Sequence, residues 1–373
     1  MQKNIIALAI AAACAAPVAA MADVSMYGSM DGGVRHQTND AASAGTTDTM
    51  QMGQYNTARF GLKMVEDMGD GLKTNVVLET SLAPGGVGAN PNTNSAASQN
   101  SQGTANSGNP FGLLFDRQAT IGVSGAWGSF DMGWNYTTSF KVIKTYDPFD
   151  YKYLAIAGAK KSDLADRAGN MTYAGKFGDV TVMAEYDVNN GDRNQDVGST
   201  TAPGKARALG LTYASGAINA GIAYTAVEAG VSMVTNPANP TWVMSPNDGI
   251  THITAGAGYN FGDGKASIGY AKKATKSLNT ANSDATDTNM WLGASYNMTA
   301  KSAVTAAYYK KTTNSGLVDA FDADSNVLMA GVTYNLSKAT QLYAEADKTT
   351  VVGTGDATDQ ITTGVSAGLS TSF

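Results

Sequence analysis

The chain has 373 residues, 43% of them hydrophobic and only 15% charged, and its 25 basic and 31 acidic side chains leave a net charge of −6. That balance excludes a nucleic-acid partner, which requires clustered basic surface, and a single cysteine, Cys14, excludes an internal disulfide or a multi-thiolate metal scaffold. Past the N-terminal stretch nothing approaches the roughly 18 consecutive apolar residues of a membrane helix, although Gly (42) and Tyr (17) are plentiful and Pro (9) is scarce.

Lys3 precedes an apolar run from Ile5 to Val18, and Ala20–Met21–Ala22 then offers small residues where a signal peptidase reads. Residues 1–22 are therefore expected to be a secretory signal that is removed, leaving a single domain over 23–373 that starts at Asp23. Cys14 falls inside the signal.

Beyond it the hydrophobic period is two, which places alternate side chains on opposite faces of a strand. In the first segment Met26, Gly28, Met30, Gly32 and Val34 oppose Tyr27, Ser29, Asp31, Gly33 and Arg35. In the second, Ala58, Phe60, Leu62 and Met64 oppose Thr57, Arg59, Gly61 and Lys63; in the third, Val76, Leu78 and Leu82 oppose Lys73, Asn75 and Glu79. A soluble antiparallel sheet alternates in the same way. The difference is that the polar face carries both charge signs, as a water-filled lumen does.

Further along, Gly-x-x-Tyr recurs at Gly210–Tyr213, Gly256–Tyr259, Gly293–Tyr296 and Gly331–Tyr334, each time just before a short polar link. Long polar stretches fall near 36–50, 83–112, 136–168, 188–205, 226–249, 274–288, 312–326 and 348–359. Short turns fall between them, near 65–71, 125–128, 175–179, 214–217, 260–265, 297–301 and 336–340. Eight loops and seven turns join sixteen strands, so both ends of the wall lie on the short-turn side. The closing run, Val365–Phe373, puts Val365, Ala367 and Leu369 in step with Phe373 on one face. Such a strand, ending on an aromatic, suits the interfacial girdle of a closed barrel. The expectation is all-β: a 16-stranded antiparallel transmembrane β-barrel, a size that leaves an aqueous channel.

Residues 23–373 resemble the general bacterial porins, trimeric channels of the Gram-negative outer membrane. The resemblance rests on Val24–Val34, on Ala58–Lys63 with Glu66–Asp67 and Gly71–Lys73, and on Leu78–Glu79–Thr80. It continues through Phe115–Val123, Gly128–Gly133 and Asp147–Pro148–Phe149. It implies that the third loop folds into the lumen and narrows it to a constriction with arginines on the facing wall. By position these are Arg59, Arg117 and Arg167, joined by Arg35 from its phase, with Glu79 on the same inner face.

Two departures bear on selectivity. Gly133–Trp134–Asn135 stands where the family often has an arginine, so Trp134 is expected to offer an aromatic wall. The third loop carries Lys141, Lys144, Lys152, Lys160, Lys161 and Arg167 against Asp147, Asp150, Asp163 and Asp166, six cations to four carboxylates. Lys141, Lys144, Asp147 and Asp150 are accordingly assigned to the constriction. The loop also holds Tyr136, Phe140, Tyr146, Phe149, Tyr151 and Tyr153, which either pin it to the wall or form a track for organic anions.

The expected function is passive diffusion of small hydrophilic solutes and inorganic ions, with a mild anion preference. The alternative is a substrate-specific channel of the same fold for organic or aromatic anions. No nucleophile motif or phosphate loop occurs, and the two histidines, His36 and His252, show no ligand spacing, so neither enzyme activity nor a metal or cofactor is expected. The resemblance implies as partners outer-membrane lipid and lipopolysaccharide, two further copies of the chain in a homotrimer, and the barrel-assembly machinery reading Leu369 and Phe373.

Overall fold

A computed structural model describes residues 23–40, 45–82, 115–153, 167–187, 201–202, 205–228, 231–235, 242–246, 249–276, 284–314, 323–352 and 358–373. The signal segment, the second loop and residues 154–166 of the third loop lie outside these residues. In chain order the strands are β1 (Asp23–Asn39), β2 (Thr46–Met52), β3 (Arg59–Gly69), β4 (Leu72–Ser81), β5 (Gln118–Gly125), β6 (Gly128–Tyr136), β7 (Arg167–Phe177), β8 (Val180–Asp187), β9 (Thr201–Ala202) and β10 (Ala206–Ser215). They continue as β11 (Ile218–Val227), β12 (Val231–Thr235), β13 (Trp242–Pro246), β14 (Gly249–Phe261), β15 (Gly264–Lys276), β16 (Ala285–Asn297), β17 (Ser302–Asn314), β18 (Ala323–Asn335), β19 (Thr340–Val352) and β20 (Gln360–Ser372). One short helix, α1 (Thr138–Ile143), opens the third loop.

Sixteen strands form a closed antiparallel barrel, and all seven expected short turns are where the sequence puts them. Closure is made by β1, which pairs with β3 over Asp23–Ser29 and with β20 from Ser29↔Ser372 to Asn39↔Thr362. Phe373 completes the pairing: its N–H and carbonyl exchange bonds with Gly28, and its ring occupies the space a Cβ on Gly28 would need. β14 to β20 have 13 residues each. Thirteen residues extend about 44 Å, or about 31 Å along the normal at a 45° tilt, enough to cross the roughly 25 Å apolar band.

Outward rows are apolar, as in β10, where Leu209, Leu211 and Tyr213 are exposed while Ala206, Ala208 and Gly210 are buried. The four repeat tyrosines are all exposed beside the short turns, in line with an interfacial girdle. Three loops differ from expectation. The stretch 36–50 is mostly strand, because β1 runs on to Asn39 and returns through β2, which shares one wall position with β3. The fourth and fifth loops contribute β9, β12 and β13 to a separate three-stranded sheet.

Candidate pore constriction

Thr137 starts the inward turn. Its hydroxyl caps α1 by accepting from the Phe140 N–H at 3.3 Å, and Glu185 accepts from the Thr138 N–H, a fitting charge for a helix N-terminus. The buried face of α1, with Val142 and Ile143, packs against the lumen side of β10, β11 and β14. Backbone glycines make that approach possible. A Cβ on Gly256 would lie 2.5 Å from the Tyr146 ring, and one on Gly293 would lie 2.6 Å from Pro148. Gly210 and Gly331 likewise face Thr138 and Tyr153.

Beyond α1 an apolar core fixes the loop to the far wall: Phe149 and Tyr153 join the inward-facing Trp291, Tyr309, Met329 and Tyr343. Trp291 Nε1–H donates to the Tyr146 carbonyl at 2.9 Å, and the Tyr309 hydroxyl donates to Asp147 Oδ1 at 2.6 Å. Asp150, Tyr151 and Tyr153 take positive φ (52°, 57° and 67°), uncommon for non-glycine residues and maintained by these surrounding contacts. The Tyr153 N–H donates to the Tyr55 carbonyl at 2.6 Å, so the break between β2 and β3 meets the loop tip. Burial pushes the Tyr153 hydroxyl far above its ordinary range.

Between this loop and the β3–β7 wall is an opening of about 360 Å³. It is lined by Arg59, Arg117 and Arg167 from the wall and by Lys144, Asp150 and Lys152 from the loop, with Tyr136, Phe140 and Tyr151 between them. Arg117 Nε donates to Glu79 Oε1 at 2.6 Å; Arg59 Nε stands 3.9 Å from the other Glu79 oxygen, which also accepts from Tyr27 at 3.0 Å. The Tyr136 hydroxyl accepts from Arg117 Nη2 at 3.0 Å and from Arg167 Nη2 at 2.9 Å. The wall cations are thus held in place by one buried carboxylate and one phenol.

Five of the residues assigned from sequence, Arg59, Arg117, Lys144, Asp150 and Arg167, converge here. Glu79 is 5% exposed and lies behind the arginines, bracing them. Four assignments are corrected. Arg35 is buried in the wall against Glu345, Asp347 and Ser366, so its charge is neutralised away from the opening. Trp134 pairs with Ala119, in the row of Leu78, and that row faces outward; Asn135 is the inward neighbour, and the Trp134 indole donates to the Asp116 carbonyl. Lys141 is not part of the lining of the opening, and burial lowers its ammonium pKa although the charges of Asp131 and Glu185 oppose the shift. Asp147 is an anchor, taken up by Tyr309 and the Tyr151 N–H.

The aromatics divide: Tyr146, Phe149 and Tyr153 pin the loop, while Tyr136, Phe140 and Tyr151 face the opening. Tyr55, which also lines the opening, was not among the residues assigned from sequence. Of the histidines, His36 bonds Asp48 at 2.6 Å near the first hairpin, and His252 is buried beneath α1 beside Ser139.

A family profile described as Gram-negative porin matches residues 7–354. Outer membrane porin protein 32 of Delftia acidovorans is 26% identical over 277 residues, 72% of this chain and 68% of its own length. An outer membrane porin protein of Bordetella pertussis is 30% identical over 256 residues, 61% of this chain and 60% of its own. Among solved structures, an anion-selective porin from Comamonas acidovorans superposes with a TM-score of 0.70 at 21% identity, covering 95% of this chain and 100% of that one. An outer membrane protein of Vibrio cholerae in trimer form gives 0.60 at 16% identity, covering 94% and 99%. The chain therefore belongs to the Gram-negative porins, bacterial outer-membrane channels that pass small solutes by passive diffusion.

Proposed function

We propose that this channel prefers anions. The observation that carries the reading is the opening itself, where, among the described residues, five cations face a single lining carboxylate, Asp150. Fixed charge in a narrow aqueous constriction selects permeants by sign. The acidic excess of the whole chain does not oppose this, because charges more than about 8–10 Å away are largely screened at physiological salt. The similarity to the anion-selective porin from Comamonas acidovorans agrees with the reading. The test is the reversal potential across a planar bilayer under a KCl gradient. A shift toward the chloride equilibrium potential is expected, and a potassium-directed shift would overturn the proposal.

The working unit is proposed to be a homotrimer embedded in outer-membrane lipid and lipopolysaccharide, supported by the trimer form of the Vibrio relative. Mass measurement of the detergent-extracted protein checks this. Residues 1–22 are proposed to be removed, which N-terminal sequencing of membrane-inserted protein would report as a start at Asp23. The strand bearing Leu369 and Phe373 is proposed as the signal for the assembly machinery.

A further inference from the structure

The lining of the opening contains more than charge. Arg167 sits over the Tyr136 ring, its guanidinium carbon 4.4 Å from the centroid, and Phe140 stacks on Tyr136 at 5.0 Å with 12° between planes. Tyr151 meets Phe140 edge-on at 5.1 Å. Lys144 Nζ stands 5.5 Å from the Tyr136 centroid and 5.7 Å from that of Phe140. Three rings and two cations thus form one continuous shelf.

Arg167, Lys144, Phe140 and Tyr151 all line the same opening, so cations and rings are offered together to one permeant. A chloride ion would use the cations and leave the rings idle. A planar ring bearing a carboxylate uses both, since aromatic faces and edges attract each other beyond the area they bury.

We infer that the constriction holds a subsite for aromatic carboxylates, with the carboxylate between Arg167 and Lys144 and the ring against Phe140 and Tyr151. The inference rests on the anion reading, because the carboxylate must first be admitted. Ring–ring attraction of the usual strength amounts to a roughly 2- to 12-fold gain in affinity over a saturated ring of the same size and charge.

The test compares benzoate with cyclohexanecarboxylate as blockers of chloride current through the purified full-length channel in planar bilayers. Benzoate should block saturably at a roughly 2- to 12-fold lower concentration. In Phe140→Leu that advantage should shrink to less than about twofold, one aromatic partner being gone. Where Phe140→Leu does not insert, Tyr151→Leu carries the same comparison. Equal block by the two acids, or an advantage that survives both substitutions, would overturn the subsite. The reversal potential in the same bilayers separates the two readings. Chloride-directed reversal with equal block refutes the subsite alone, whereas potassium-directed reversal refutes the anion preference and with it the access the subsite needs.

Discussion

Replacing Tyr309 by Phe removes one oxygen from the inside of the wall and nothing else. That hydroxyl donates to Asp147 Oδ1 at 2.6 Å, and the same carboxylate receives the Tyr151 N–H at the turn into the loop tip. Tyr309 is 2% exposed and Asp147 1%, so water cannot readily substitute for the lost donor. A hydrogen bond to a charged acceptor contributes about 1.5–3 kcal/mol, a shift of roughly ten- to hundredfold between docked and released states of the tip. The Trp291 and Tyr55 contacts persist, so mean conductance should change little while excursions from it become more frequent. Single-channel recording at fixed voltage measures this directly. Tyr308→Phe is the matched control, since its neighbouring hydroxyl bonds Asn326 on the exposed side. Equal excursion frequencies in the two variants would refute the idea that Tyr309 anchors the loop.

Arg59→Glu reverses the sign of the wall cation whose side chain is a third exposed. At about 1 kcal/mol per charge near 4 Å in high dielectric, chloride preference should fall roughly fivefold or more in reversal-potential measurements, and less at 1 M salt. Arg35→Ala strands Glu345 and Asp347 in the wall. A loss of about 3–5 kcal/mol follows from such stranding and should appear as a lower thermal unfolding temperature with unaltered ion preference. Gly256→Ala places a methyl 2.5 Å from Tyr146 and should push the loop off its seat. The overpacking costs about 1–3 kcal/mol and is read as larger unitary conductance.

The strand pattern was legible because lipid and water impose opposite demands on alternate side chains, a local signal that each segment repeats. The Gly-x-x-Tyr word shows both what was readable and what was not. Its tyrosine announced the girdle from composition and spacing alone. Its glycine faces inward, as strand parity requires of a residue three positions away, and receives the third loop; which loop segment sits there is a long-range fact no local pattern encodes. Trp134 was misplaced because Asn135, not Trp134, continues the inward row. Arg35 was correctly phased, but its carboxylate partners are about 310 residues distant, beyond any reading of neighbours. The convergence of Arg59, Arg117 and Arg167 was indicated by family resemblance, and their orientation by Glu79 and Tyr136 emerges only in three dimensions.

The meeting of β1 and β20 has a consequence for how the protein comes to exist. It is the pairing with the greatest separation along the chain, so it is the slowest contact to find and leaves two open strand edges until it forms. A strand slipped by one residue turns its whole inner face outward. At this seam such a slip would put Arg35 into hydrocarbon, costing about 2–4 kcal/mol at mid-membrane, and would leave Glu345 and Asp347 without their cation. The ion cluster, which contributes nothing to the opening, thus acts as a proofreader of closure: only one register of the last strand on the first satisfies it.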